Sequence, residues 1–172
     1  MRKKIIKEDE IGQYFIYLSH LESLKIYFYR NLNGDYIKDL FNLKTLDVAD
    51  VETITDKGIK NLISDQSVAE RHLITLRELK LHQCHNITVD GIKRLKNLIK
   101  LEVNQCDNIS SEIIKYLKSL ECLTIDCCPR INKEEIINYW KSSNNNLYSF
   151  IYDSHICLNN SQEYNDEGIN YL

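Results

Sequence analysis

The stretch LKLHQCHNITVDGIKRL, residues 79–95, decides how the whole chain is read. Within it His82, Cys84, His85 and Asp90 crowd together, a density that fits a zinc ligand set or a thiol nucleophile beside a base. It also fits plain architecture. Leu79 and Leu81 alternate with Lys80 and His82 as in a strand, and the spacing turns helical at Ile87, Ile92 and Leu95.

Self-similarity favours architecture. LIKLEVNQCDNISSEIIKYLKSL (98–120) and LECLTIDCCPRINKEEIINYW (120–140) superpose on the opening stretch at an interval of 22 residues without gaps. Leu79 aligns with Leu101 and Leu123, Leu81 with Val103 and Ile125, and Cys84 with Cys106 and Cys128. Ile87, Ile109 and Ile131 form another column, as do Ile92, Ile114 and Ile136. Weaker copies keep the phase at 21–40, at 43–62, and in the diverged pair 147–155 and 165–172. Eleven extra residues separate the second and third units, and five lengthen the chain before the last.

Each unit reads as strand, turn and helix. The column entering the helix holds Asn33, Thr55, Thr88, Ser110, Asn132 and Asn165, all favoured N-caps. Two residues on come Asp35, Lys57, Asp90, Glu112, Glu134 and Glu167, mostly acids facing the positive end of the helix dipole. Such units are too small to bury their own apolar faces and must stack on their neighbours. The expected organisation is one domain over 1–172: a helical half-unit or cap at 1–20, five repeats over 21–146, and a diverged sixth over 147–172. The insertion near 63–75 carries a capping box, Ser67 with Glu70, and predicts an added helical turn or two.

Composition narrows the function classes. The chain has 172 residues, is 43% hydrophobic and 27% charged, and carries a net charge of −3. No apolar run reaches the roughly 18 residues that span a bilayer. MRKKIIKEDEIGQ lacks the apolar stretch of a secretion signal, so a cytoplasmic protein with no membrane partner is expected. The charge balance argues against nucleic acid. Six irregularly placed cysteines (84, 106, 122, 127, 128 and 157) do not resemble a secreted disulfide framework.

The chemical candidates then separate by direction. Adjacent parallel strands lie about 4.8 Å apart, so Cys84, Cys106 and Cys128 form a ladder that does not converge on a metal ion. Tyr29, Val51 and His155 share this column, which reads as small buried hydrophobes. Cys122 and Cys127 are expected on the concave face, with thiol pKa values near 8.5 and poor nucleophilicity. His82 is expected on that face too, with no acid in direct pairing distance, and His85 in the following turn. No cofactor, metal or catalytic residue is expected.

Candidate contact residues are Lys25, Tyr27, Phe28, Asp47, Lys80, His82, Gln83, Glu102, Asn104 and Asp126. The column Lys25, Asp47, Lys80, Glu102, Thr124 and Ile151 alternates in charge over its first four members, worth about 0.2–1 kcal/mol per facing pair. It reads either as a self-neutralised surface or as a mixed surface that another protein recognises. Tyr27 and Phe28 read either as binding anchors or, with Tyr14, Phe15 and Tyr17, as a cap on the first repeat. Trp140 reads as core or end packing.

The Cys-x-x-Ile-Thr-x-x-Gly-Ile turn and the leucine columns over 21–172 resemble the cysteine-containing subclass of leucine-rich repeats, found in F-box substrate receptors of ubiquitin ligases. The resemblance implies an α/β solenoid with a curved parallel sheet on the concave side and helices on the convex side. The unit is shorter than that family's, and no F-box-like helix bundle precedes it. The A/T-biased composition also resembles the small leucine-rich-repeat gene family of insect poxviruses, which implies a viral protein. The expected role is non-enzymatic binding of a partner protein on the concave face. The alternatives are a ligase adaptor lacking its own F-box, or a self-associating unit that forms a homodimer through an uncapped end.

Overall fold

A computed structural model of the chain describes residues 14–15, 17–28, 34–62, 75–143 and 147–153. Tyr29, Asn33, His155, Cys157, Asn165, Glu167 and the capping box of Ser67 and Glu70 lie outside the described residues.

Six five-residue strands form one parallel sheet in sequence order: β1 (Ser23–Tyr27), β2 (Thr45–Ala49), β3 (Glu78–His82), β4 (Lys100–Asn104), β5 (Cys122–Asp126) and β6 (Ser149–Asp153). The register is the one the repeat columns require. Leu24, Leu46, Leu79, Leu101, Leu123 and Phe150 pair in sequence, and so do Ile26, Val48, Leu81, Val103, Ile125 and Tyr152. The eleven and five extra residues fall in the return segments and leave the pairing undisturbed.

The backbone repeats as faithfully as the side chains. At each strand entrance one carbonyl accepts two successive N–H groups: Glu22 O from Lys44 and Thr45, Lys44 O from Arg77 and Glu78, and likewise Arg77 O, Ile99 O and Glu121 O. Such bonds satisfy main-chain groups that the short strands alone would strand in the interior.

Leucine and isoleucine columns fill the space behind the sheet, with Leu46, Leu79, Leu81, Leu101, Ile87 and Ile92 fully buried. The cysteines belong to this core. Cys84 and Cys106 are fully buried and Cys128 nearly so, beside a fully buried Val51 in the same column. Each thiol donates to backbone carbonyls: Cys84 to His82 O at 3.4 Å, Cys106 to Asn104 O at 3.3 Å and Cys128 to Asp126 O at 3.3 Å. Burial pushes the thiol pKa values up, to about 11 for Cys84 and about 12 for Cys106 and Cys128. A thiol held neutral in this way is a poor nucleophile at neutral pH.

The return segments are less helical than the repeat pattern predicts. Among the described residues α1 (Asp56–Asn61) and α2 (Val89–Ile92) are short, Gly34–Asp39 and Ser111–Lys115 are 3-10 helices, and α3 (Lys133–Ser142) alone runs to ten residues. After strand and turn, a 22-residue unit leaves room for little more than one tight turn, and α3 lies in a unit five residues longer. Length is not the whole reason, since α1, in the longest unit, spans six residues. The N-cap column performs unevenly. Thr88 accepts from Asp90 N–H and Asn132 from Glu135 N–H, but Thr55 and Ser110 make no side-chain cap bond.

Neighbouring turns are tied instead by side chains one position further on. Asp56 accepts from Thr88 N–H at 2.8 Å and from Thr88 Oγ1 at 2.6 Å, while Ser111 Oγ accepts from Asn132 N–H at 2.7 Å. This close approach explains Gly91, because a Cβ there would stand 2.4 Å from Asp56 Oδ1. Asn86 and Asn108 extend the lacing by donating to Glu52 O and His85 O. At the first repeat, Phe15 is buried in the core and Tyr17 is exposed. Trp140 packs half-buried against the core, as expected. No helix among the described residues is long and apolar enough to cross a membrane.

Candidate interaction face

Three rows of side chains hold the candidate contacts, two on the strand face turned away from the core and one just past the strand ends. The middle row is Lys25, Asp47, Lys80, Glu102, Thr124 and Ile151, in the register the sequence implies. Its alternating charges pair. Lys80 Nζ lies 2.7 Å from Glu102 Oε2 and Lys25 Nζ lies 3.7 Å from Asp47 Oδ2. The Glu102 carboxylate, hydrogen-bonded to Lys80, raises the lysine pKa against the opposing pull of burial.

Asp47 departs from its expected role as an exposed contact. It is only 4% exposed, because the Tyr27 hydroxyl donates to its Oδ2 at 2.6 Å and covers it. Tyr27 remains 47% exposed through its ring, and the bond to Asp47 raises its pKa. Asp47 is therefore a support beneath Tyr27. The reach is diagonal, from the end of one strand to the middle of the next, and such neighbours are within range of a long aromatic side chain.

The next row is Tyr27, Ala49, His82, Asn104, Asp126 and Asp153. His82 finds an acid after all. Its Nε2 lies 3.7 Å from Glu102 Oε1, again on the diagonal and not across Asn104. Lys80 and His82 thus share one carboxylate, an arrangement that neutralises charge and positions no nucleophile. His85, in the turn beyond, places its Nδ1 3.0 Å from Asp107 Oδ2 on the neighbouring turn.

The third row lies just past the strand ends and is invisible in the sequence pattern. Phe28, Asp50, Gln83, Gln105 and Cys127 all have positive φ, between 49° and 56°. A non-glycine residue in this region costs about 1–2 kcal/mol, and here it is held in place by sheet bonds. The N–H of Phe28, Asp50, Gln83 and Gln105 each donates at 2.9 Å to the last carbonyl of the next strand. Gln83 Nε2 also donates to Gln105 Oε1 at 2.5 Å. Only Asp50 among these is a type that favours this backbone, so no residue signature marked the row.

Together the last two rows line a shallow, open depression of about 460 Å³. Tyr27 and Phe28 form its aromatic end, with Phe28 74% exposed. That exposure removes Phe28 from a capping role. Asp50, His82, Gln83 and Asn104 continue the lining, and among the described residues no lysine or arginine takes part. Of the candidate residues, Tyr27, Phe28, His82, Gln83 and Asn104 come together here. Lys25, Lys80 and Glu102 lie one row away, and Asp126 is the strand partner of Asn104. Cys122 and Cys127 are half-buried. Among the described residues no group of three or more His, Cys, Asp or Glu could hold a metal ion.

No protein-family model matches the chain, and no curated protein matches it. Solved structures do. An internalin (InlF) from Listeria monocytogenes superposes with a TM-score of 0.60 at 18% identity, over 83% of this chain and 37% of the internalin. The TLR13–ssRNA13 complex matches with a TM-score of 0.44 at 16% identity, over 72% of this chain and 20% of the other. The chain therefore spans little more than a third of the internalin's length. Sheet order, repeat register and the internalin superposition agree on one architecture: the chain has the leucine-rich-repeat fold, an α/β solenoid with its parallel sheet on the concave side.

Proposed function

We propose that this chain is a non-enzymatic protein-interaction module that receives a partner protein on its concave strand face. The observation that carries the reading is the depression at the strand ends. It sets two exposed aromatic side chains beside uncharged amides, on a parallel sheet whose successive strand ends are joined by backbone hydrogen bonds. Aromatic anchors bordered by adaptable polar groups are the usual composition of binding hot spots. The charged row beside it is internally paired, so it fixes shape and orientation more than it attracts ligand. The buried cysteine ladder and the repeated turns support assignment to the cysteine-containing subclass.

The test is affinity capture from the native host with wild type and a Phe28→Asn, His82→Asn double variant. Both replaced side chains lie on the surface, and asparagine tolerates the left-handed backbone at position 28. The variant is expected to melt like wild type and to lose the captured partner. An unchanged partner set removes the concave face from the proposal. Recovery of ligase scaffold subunits would favour the adaptor reading, and a concentration-dependent dimer in light scattering the self-association reading.

A further inference from the structure

The charges around the depression say what kind of partner segment fits it, given that the face binds protein as proposed above. Several of the acids nearby already have a neighbour: Asp47 has Lys25, Glu102 has Lys80, and ring nitrogens of His82 and His85 lie against Glu102 and Asp107. Two acids are left over. Asp50 is exposed in the lining of the depression, and Asp126 sits just beyond its rim beside Asn104. Among the described residues neither has a cationic side chain within 4.0 Å, and Asp126 Oδ1 is buried with no hydrogen-bond partner. Asp47, 4% exposed beneath the Tyr27 ring that lines the depression, also keeps one oxygen, Oδ1, without a partner. Among the described residues no lysine or arginine stands in the lining beside these surplus acceptors, and the resulting negative field repels phosphate and carboxylate ligands.

We propose that the depression takes an extended basic segment of the partner protein, lying across the strand ends with an apolar side chain against Phe28. The spacing sets the register of that segment. Asp50 follows β2 and Asp126 ends β5, so three strand intervals of about 4.8 Å put the two acids about 14 Å apart. An extended chain advances about 3.3–3.4 Å per residue and repeats its face every second residue, so basic residues about four apart reach both acids from one side. Gln83, Gln105 and Asn104 lie between, where side-chain amides can donate to and accept from the backbone of an extended peptide. Phe28 lies one strand before Asp50, which places the apolar residue two before the first basic one, on the same side of the extended chain.

A fluorescein-labelled peptide with two arginines about four residues apart and a leucine two residues before the first, in a Gly/Ser/Thr background, is the probe, and fluorescence anisotropy the measurement. The arginine peptide is expected to bind, more weakly as salt rises, and the same peptide with glutamates is expected not to. Asp50→Asn and Asp126→Asn should each weaken binding about five-fold, with thermal unfolding measured alongside to confirm that each variant is folded. Asparagine retains the left-handed backbone at position 50. Equal binding of the arginine and glutamate peptides, or full binding by the folded Asp50→Asn, Asp126→Asn double variant, overturns the proposal. If the arginine peptide fails while Phe28→Asn, His82→Asn still loses the captured partner, the basic segment falls and the binding face stands. If that double variant also keeps its partner, both fall.

Discussion

The sheet and the return segments of this solenoid obey the same 22-residue interval with different fidelity. Across β3, β4 and β5 the strands have one length, one register and one alternation of buried and half-buried positions. Over the same units the returns are a four-residue α-helix, a five-residue 3-10 helix and a ten-residue α-helix. A strand is bound to two neighbours by backbone bonds, and a slip of one residue would turn its leucines outward. A return segment needs only to span back and cover the core, which several local conformations achieve. Cooperative constraint therefore concentrates in the sheet, and sequence drift is tolerated on the other side.

The sharpest way to break this contrast is to open the sheet side. Leu101, fully buried between Leu79 and Leu123, should cost about 3–4 kcal/mol when replaced by alanine, read as a lower midpoint in chemical denaturation. A cost under about 1 kcal/mol would mean that the interior is loosely packed and that the regular register has little energetic weight.

The cysteine ladder gives a smaller effect with a pH signature. Cys84→Ala is expected to cost about 1 kcal/mol through lost buried volume. The wild type should also lose stability above pH 9, and the variant less so. The unfolded thiol releases its proton near 9.0, whereas the folded one holds it to about 11. Below pH 9 both states carry the proton and nothing changes. Between 9 and 11 only the folded state does, and stability falls as pH rises. Parallel wild-type and variant curves across that window would show that the thiol titrates alike in both states.

The smallest expected effect separates one return from another. Asn132→Ala removes a cap bond to Glu135 N–H and should cost about 1 kcal/mol, while Ser110→Ala, with no such bond, should cost a few tenths. Equal melting temperatures for the two variants would show that the caps make no distinct contribution and that stacking alone holds the returns.

Most of the fold was legible because repetition multiplies a weak signal. One leucine pair is ambiguous between strand and helix, but six aligned copies fix strand number, order and register. The candidate face was legible in part. In-register columns gave Lys80 beside Glu102, yet the diagonals from Tyr27 to Asp47 and from His82 to Glu102 were missed, since reach depends on side-chain direction as well as column. Asp47 was misplaced as an exposed contact for that reason.

What the amino-acid sequence determined alone is the solenoid: apolar columns at a constant interval admit one parallel register, and the cysteines within them had to be core. What only the tertiary structure decided is local and directional. The helical character differs between returns of equal length, a four-residue α-helix in one and a five-residue 3-10 helix in the next, and two of four described cap residues lack the geometry to cap. The left-handed backbone at Phe28, Asp50, Gln83 and Gln105 lets each N–H reach the last carbonyl of the next strand, a demand made by the neighbouring unit and not by the residue itself. That imposed turn lifts Phe28, Asp50 and Gln83 into the lining of one depression.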